Sequence, residues 1–270
     1  MNKAFFSWFV YVLTAIILLV VVIGLAYRFE RKATIPRTIT VTIIPGSTIN
    51  TIAKQLSRAG LPSQTFLKLA LPTFSASTTP LNPVATSSGV TSSDLANAGL
   101  GLEGYLYPDT YNFSSNQSAE RIIKTLTDNF DKHFPQELFD RQKDANQKGI
   151  VRSKRDIVIM ASILEKEVAT DEDRKIVAGI LWKRLGENLP LQVDSTSHYF
   201  LGAPNGVLYN TYKNTGLPFG PICNPSLSSL KAALLPTASD YWYFLSTKEG
   251  RIVYSKTLGE HLINKAKYIE

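Results

Sequence analysis

The sequence predicts an α+β protein with an apolar N-terminal segment, a small module and a larger C-terminal domain. Residues 38–44 alternate apolar and hydroxyl side chains, as a half-buried strand does, and later segments repeat apolar residues at helical spacing. A stretch rich in Ser, Thr and Pro separates the module from the domain. We expect four parts: the apolar segment with its flanks (1–32), the module (33–71), a linker or loop (72–98) and the main domain (99–270).

The N-terminal segment is predicted to be a single-pass membrane anchor. The run from Ala4 to Tyr27, about 24 residues without a charge, is long enough to cross a bilayer as a helix. Trp8 and Tyr11 lie near one end, where interface aromatics are found, and basic residues follow from Arg28. The apolar run is longer than that of a cleaved signal peptide. More basic residues follow the apolar run than precede it, so a strict count of the flanking charges places the C-terminal part of the chain in the cytoplasm.

The module is predicted to consist of one strand and two helices. Pro45 and Gly46 turn the chain after the strand, and Ser47 is the expected cap of a helix that Gly60 ends. A second short helix is expected at 65–71. This strand–turn–helix unit resembles a LysM-like glycan-binding module, and it equally suits a generic small α+β element.

The main domain is predicted to alternate helices with loops. Residues 102–113 are aromatic and strand-like, and helices are expected at 118–134, 156–169, 171–185 and 226–235. In the third of these segments we expect the basic residues to face outward: Arg174, Lys175, Lys183 and Arg184. Residues 186–226 are predicted to be rich in loops, and a hairpin is expected from 241–245 and 251–254.

Composition excludes several classes of function. Cys223 is the only cysteine, and His133, His198 and His261 are scattered, so we expect no disulfide framework, metal site or cofactor. The net charge of +7 suits an anionic polymer or lipid, but no basic run interleaved with aromatics indicates nucleic acid. A Ser-His-Asp hydrolase is excluded, since no nucleophile elbow surrounds Ser195.

Two carboxylates lie within the apolar helix predicted at 156–169. At about 100° per residue around the helix, Glu167 lies at the edge of the apolar stripe. Glu165 lies roughly 160° away from Glu167 around the helix axis. A carboxylic acid kept protonated in a dry site is what glycosidic-bond cleavage needs as a general acid. We therefore predict Glu167 as the acid and Glu165 as a supporting or salt-bridged neighbour, with Glu165 as the alternative acid. The alternative is that both flank a surface helix with Lys166.

Four motifs stand in a fixed order along the main domain. They are LEGYLYPDTY (102–111), ASILEKE (161–167), LQVD (191–194), and YNTY (209–212) running on to GLPFGPICNP (216–225). In this order, behind an apolar N-terminal segment, they resemble the YceG-like endolytic murein transglycosylases. The resemblance covers residues 99–265 well and the N-terminal module loosely.

The resemblance implies cleavage of the β-1,4 bond between N-acetylmuramic acid and N-acetylglucosamine in peptidoglycan, with formation of a 1,6-anhydromuramoyl end. It implies that Glu167 acts as acid and then as base, without a second catalytic carboxylate; ordinary glycoside hydrolases use two. It also implies an extracytoplasmic body on the bacterial plasma membrane, glycan strands as the substrate and cell-wall synthases as partners.

Further residues are candidates for substrate binding. Gln192 and Asp194 suit sugar hydroxyls or amides, and Asn210 suits an N-acetyl group. Aromatic rings of Tyr residues offer flat apolar faces for pyranose rings. The candidates here are Tyr105, Tyr209 and Tyr212, with Glu103 from the first motif. The alternative for each tyrosine is ordinary packing.

The chain departs from the pattern of the family at four places, one of which is a shorter segment between Asp194 and Tyr209. Val168 replaces the usual hydroxyl residue after the glutamate, and Ser195 replaces the usual proline after Asp194. The N-terminal module is shorter than expected. These departures leave open a non-catalytic wall-binding or scaffold protein of the same fold. A hydrolase that uses Glu167 with Asp194 is a third possibility.

Overall fold

The computed structural model describes residues 3–30, 36–71, 101–135, 138, 152–197, 199 and 209–269. The chain divides into two compact units, Met1–Arg37 and Thr38–Glu270. The first contains helix α1 (Lys3–Glu30), in which the described side chains are those of Trp8 and of residues 11–23, all exposed. Among the residues that the structure describes, no helix combines the length and hydropathy needed to cross a membrane. The linker predicted at 72–98 lies outside the described residues.

The second unit begins with a two-stranded antiparallel sheet. Strand β1 (Thr38–Thr42) pairs with β2 (Thr110–Ser114), and helices α2 (Ile49–Arg58) and α3 (Ser63–Ala70) come between them in sequence. This pairing crosses the boundary that we predicted at residue 99. One apolar cluster includes side chains from all four elements and from helix α4 (Ala119–His133).

The start of helix α2 corrects the expected cap. Thr48, and not Ser47, is the N-cap: its hydroxyl accepts a hydrogen bond from Thr51 N–H at 3.2 Å. Ser47 is buried instead, and its carbonyl accepts from Asn224 Nδ2 at 2.9 Å. The residue that caps a helix is the one just before its first turn, because only its side chain can reach the free backbone N–H groups of that turn. A shift of one position therefore moves the cap from Ser47 to Thr48.

The first motif forms turns, and the strand starts only at Thr110. Gly104 has φ +89°, and a Cβ at this position would lie 2.7 Å from side chains of Pro221 and Val158. Only glycine allows both this conformation and this close approach. Of the strand predicted at 102–113, only the residues from Thr110 onward form a strand.

A second apolar cluster surrounds helix α5 (Lys154–Glu167), with helices α6 (Asp171–Gly186) and α8 (Leu227–Leu234) packed beside it. Ser153 and Asp156 form a capping box at the start of α5. The sequence pattern predicted that one apolar stripe of α5 would face the core. In the structure all residues from Ile157 to Leu164 are buried, so α5 is surrounded on every side.

The C-terminal part adds a hairpin and a helix. Strands β3 (Tyr243–Ser246) and β4 (Ile252–Ser255) are antiparallel, and helix α9 (Leu258–Tyr268) packs on them. Before them, the four-residue helix α7 (Asp194–Ser197) interrupts the segment predicted as loops. The sequence pattern predicted neither α7 nor α9.

Candidate active site

A cleft of about 350 Å³ lies beside the carboxyl end of helix α5. Glu167 contributes to its lining, together with the segment before and at the start of α7. Strand β3 and helix α9 supply other parts of the wall. Its polar and charged lining includes Glu167, Arg184, Gln192, Asp194 and Tyr212.

Glu167 is the last residue of α5, because Val168 takes an extended conformation and ends the helix. The Glu167 side chain is partly exposed, and its Oε1 accepts a hydrogen bond from the backbone N–H of Ser195 at 3.1 Å. A proline at position 195 has no N–H and cannot make this bond. The serine that replaces the expected proline therefore provides a fixed contact to the predicted acid.

Glu165 has a different environment from Glu167, as expected for residues two apart on a helix. Its Oε2 accepts hydrogen bonds from Ser226 N, Ser226 Oγ and Ser229 Oγ at 2.9, 2.6 and 2.7 Å. Arg174 Nη2 lies 4.0 Å from Oε1, and only 8% of the Glu165 side chain is exposed. Glu165 thus joins the end of α5 to the first turn of α8.

Asp194 and Tyr212 form a hydrogen-bonded pair in the cleft. The Tyr212 hydroxyl donates to Asp194 Oδ1 at 2.5 Å. Burial, this hydrogen bond and the negative charges of Asp194 and Glu167 raise the pKa of Tyr212 to about 12. Tyr212 therefore stays a donor at neutral pH, and the residue is 48% exposed.

Gln192 is fixed by its backbone and by its side chain. It is exposed and has φ +55°, a conformation uncommon for residues other than glycine. Its N–H donates to the Thr211 carbonyl at 3.1 Å, and its Oε1 accepts from Arg184 Nη2 at 2.6 Å. Arg184 was predicted to face outward, but it is only 6% exposed. The prediction was wrong because the segment after α6 folds back over the arginine and surrounds it with acceptors.

Four candidates do not offer their side chains to a ligand in the cleft. Tyr105 and Tyr209 are each 2% exposed and pack edge-on against Phe130 and Phe219. Asn210 uses its Oδ1 to accept the backbone N–H groups of the next turn, at 3.0 and 3.1 Å. For the two tyrosines the structure corrects the expected sugar contact to core packing.

Glu103, the fourth, is a buried carboxyl group that connects separate parts of the second unit. It is 4% exposed and accepts from Ile49 N–H at 3.0 Å, Asn224 Nδ2 at 2.8 Å and the Tyr199 hydroxyl at 2.5 Å. Burial raises the pKa of Glu103 to about 7, although each of these hydrogen bonds lowers it. A raised pKa, the property expected of a catalytic acid, thus belongs to a buried group that does not line the cleft, and the carboxylate oxygens of Glu103 are occupied by contacts within the protein.

Residues 24–267 match the YceG-like family. The chain belongs to the YceG-like family. A crystal structure of a YceG-like protein of Listeria monocytogenes superposes with a TM-score of 0.64 at 29% identity, over 90% of this chain and 80% of that one.

Two curated relatives are both named endolytic murein transglycosylase. The relative from Bacillus subtilis is 39% identical over 179 residues, which are 62% of this chain and 48% of that protein. The relative from Streptococcus pneumoniae (strain D39) is 30% identical over 184 residues, which are 62% of this chain and 32% of that protein. This YceG-like chain therefore spans about half or less of the length of these curated relatives.

Proposed function

We propose that this YceG-like protein is a peptidoglycan lytic transglycosylase that cleaves β-1,4 bonds between N-acetylmuramic acid and N-acetylglucosamine within glycan strands. The observation that carries the proposal is Glu167, held by the Ser195 N–H in a cleft that also contains Asp194 and Tyr212. The names of the relatives from Bacillus subtilis and Streptococcus pneumoniae support the same reaction.

The hydrogen bond to Oε1 favours one position for the proton of neutral Glu167. Oε1 accepts the Ser195 N–H, and because the carbonyl oxygen of a carboxylic acid is its better acceptor, we place the proton on Oε2. In the first step, Oε2 donates this proton to the glycosidic oxygen, and the bond from that oxygen to the muramoyl C1 breaks. General acids of this kind contribute about 10²- to 10⁴-fold to the rate.

In the second step, Glu167 acts as the base. The muramoyl C6 hydroxyl attacks C1, and the ionised carboxylate accepts the hydroxyl proton. The product is a 1,6-anhydro ring at one new end and a free C4 hydroxyl at the other. No water is consumed, and one carboxyl group serves both steps, which differs from the two carboxyl groups of ordinary hydrolases.

The remaining groups of the cleft have supporting roles in this proposal. The half-exposed ring of Tyr212 gives a pyranose a flat apolar surface. Asp194 holds the Tyr212 hydroxyl and places a negative charge in the cleft where C1 becomes positive.

We further propose that the chain acts outside the cytoplasm, attached to the bacterial plasma membrane. The support is the uncharged run of residues 4–27, which lies within helix α1. The order β1, α2, α3, β2, with the two strands antiparallel, supports a LysM-like module. Cell-wall synthases are the partners that the resemblance implies. Recovery of the full-length chain in the soluble fraction of lysed cells would contradict the membrane anchor.

Product analysis tests the proposed reaction. Purified glycan is digested with the full-length chain, and the new ends are identified by mass spectrometry. Anhydromuramoyl ends support a lytic transglycosylase. Reducing muramic acid ends, heavier by one water, would indicate a hydrolase that uses Glu167 and Asp194. Intact glycan with a folded protein would indicate a wall-binding or scaffold role.

A further inference from the structure

Arg184 is a buried cation in the wall of the cleft, and its donors meet mostly backbone acceptors. Nε and Nη2 donate to the Pro190 carbonyl at 3.1 and 2.7 Å, and Nη1 donates to the Trp242 carbonyl at 3.1 Å. The guanidinium also lies 5.2 Å from the centre of the Tyr243 ring. These contacts fix the plane of the guanidinium, so the directions of its two remaining N–H donors, one on Nη1 and one on Nη2, are fixed as well.

The second N–H of Nη2 holds the side chain of Gln192. Nη2 donates to Gln192 Oε1 at 2.6 Å. Arginine has donors only, so the amide oxygen must face it and the amide nitrogen must face away. The usual ambiguity between oxygen and nitrogen in a glutamine is therefore removed by chemistry.

The backbone of Gln192 adds a second constraint. Its φ of +55° is uncommon for a residue with a side chain, and the hydrogen bond to Thr211 holds it there. Uncommon backbone conformations of this kind cluster at functional sites. The position of the Gln192 Nε2 donor is therefore fixed by two constraints: the backbone conformation of Gln192 and the hydrogen bond from Arg184 to its Oε1.

We infer that Arg184 positions Gln192 so that Gln192 Nε2 donates a hydrogen bond to the acetamido carbonyl of a sugar bound beside Glu167. This assignment rests on the proposed function. A carbonyl oxygen only accepts, which matches a donor that cannot turn, and both sugars of the proposed substrate carry an acetamido group. Leu258 and Leu262, 54% and 56% exposed, also line the cleft and offer apolar surface for the acetamido methyl.

The test compares two forms of one substrate. Glycan strands without stem peptides are used as isolated and after removal of their acetyl groups, and a re-acetylated sample controls for damage. The kcat/KM for anhydromuramoyl ends is measured on each form. A neutral hydrogen bond of this kind predicts that the parent prefers the acetylated strand by about 5- to 10-fold. Gln192→Met, similar in volume but without the N–H donor, brings this ratio close to one.

Arg184→Lys tests the positioning role separately. A lysine keeps the charge but lacks the planar fork, so the acetyl preference falls part of the way. In the Gln192→Met background, Arg184→Lys leaves the preference unchanged, because the residue through which it acts is gone. An equal loss on both strands in both backgrounds would show a merely structural role for Arg184 and overturn the positioning. Thermal unfolding confirms that each variant is folded.

Other outcomes separate this assignment from the proposed reaction. An active parent that shows no acetyl preference, or a preference that survives Gln192→Met, overturns the assignment and leaves the reaction intact. A parent that releases no anhydromuramoyl ends overturns the proposed reaction. The preference is then measured as binding of the two strands by calorimetry, where an equal affinity in parent and Gln192→Met overturns the assignment too.

Discussion

Ser195→Pro removes one hydrogen bond at Glu167. The N–H of Ser195 lies in the first turn of α7, where backbone donors have no helical partner, and it donates to Glu167 Oε1 at 3.1 Å. Proline is tolerated at such positions. The substitution therefore releases the carboxyl group of Glu167 without deleting a side-chain contact, because the Ser195 hydroxyl has no hydrogen-bond partner in the part of the chain that the structure describes.

The expected loss follows from the strength of this bond. A hydrogen bond to a charged group contributes about 1.5–3 kcal/mol, and Glu167 gains its negative charge as it gives up the proton, so this contribution appears in the transition state. Glu167 is partly exposed, so water replaces part of the contact and we take the lower end of the range. Since about 1.4 kcal/mol corresponds to tenfold in rate, we expect kcat for anhydromuramoyl ends to fall about tenfold. The assay is single-turnover cleavage of purified glycan, read by mass spectrometry.

Ser195→Ala is the matched control, because it keeps the N–H. It should stay within about twofold of the parent. Proline also restricts the residue before it, so both substitutions are repeated in an Asp194→Ala background. If Ser195→Pro still lowers kcat in the Asp194→Ala background, the loss acts through Glu167 and not through Asp194. Equal kcat for the proline and alanine variants, or a proline effect that disappears with Asp194, would refute the reasoning.

Four further substitutions test the stability of the fold. Glu165→Ala leaves buried donors of α8 unpaired and should lower the unfolding free energy in urea by about 3 kcal/mol, while an unchanged midpoint would contradict the contacts described. Gly179→Ala should destabilise by at least about 2 kcal/mol, since its Cβ would lie 2.0 Å from the Thr237 carbonyl oxygen. Gly186→Ala in the same helix meets nothing within 4 Å and should stabilise by about 0.5 kcal/mol, so equal effects of the two substitutions would contradict this packing. Glu103→Gln should change how stability depends on pH.

The direction of that pH effect follows from the raised pKa of Glu103. The folded protein has a pKa of about 7 at a group whose ordinary value is 4.5, so between these values it binds more protons than the unfolded chain. The contribution of Glu103 to the unfolding free energy therefore falls as pH rises from about 4.5 to about 7, by about 3 kcal/mol at about 1.4 kcal/mol per pKa unit. Glutamine does not titrate, so the parent-minus-variant difference follows this slope. A difference that stays flat with pH would contradict the raised pKa.

Local pattern was sufficient for the elements of the core. Apolar spacing predicted α5, and the two-residue separation of Glu165 and Glu167 predicted that they point in different directions. The structure places the two carboxylates in separate environments. The α+β class is confirmed by the structure, and the resemblance drawn from the four motifs is confirmed by the family match.

Contacts between residues far apart in the sequence could not be predicted from local sequence patterns. Arg184 has the sequence context of an exposed basic residue near the end of a helix, and contacts with Pro190, Gln192 and Trp242, which a helical pattern does not show, surround it in the structure. The Ser195 N–H is likewise invisible in a sequence pattern, because backbone donors carry no residue signature. The loops at 186–197 decide both contacts.

Strand pairing and the C-terminal helix show two other limits. The pattern of β1 indicates a strand but not its partner, and β2 lies beyond the Ser, Thr and Pro stretch that suggested a boundary. Helix α9 did have a usable signal, since Thr257 accepts from Glu260 N–H and the Glu260 side chain accepts from Lys256 N–H. A Thr followed three residues later by Glu is a recognisable start of a helix.

The most direct test of the central claim is Glu167→Gln, assayed on purified glycan beside the parent and beside Glu165→Gln from the same helix. Glutamine cannot give or take the proton, so the account predicts a loss of anhydromuramoyl ends of about 10²- to 10⁴-fold with glycan binding retained. Glu165→Gln should lose stability and still form these ends. Anhydromuramoyl ends released by Glu167→Gln at the rate of the parent would contradict the account.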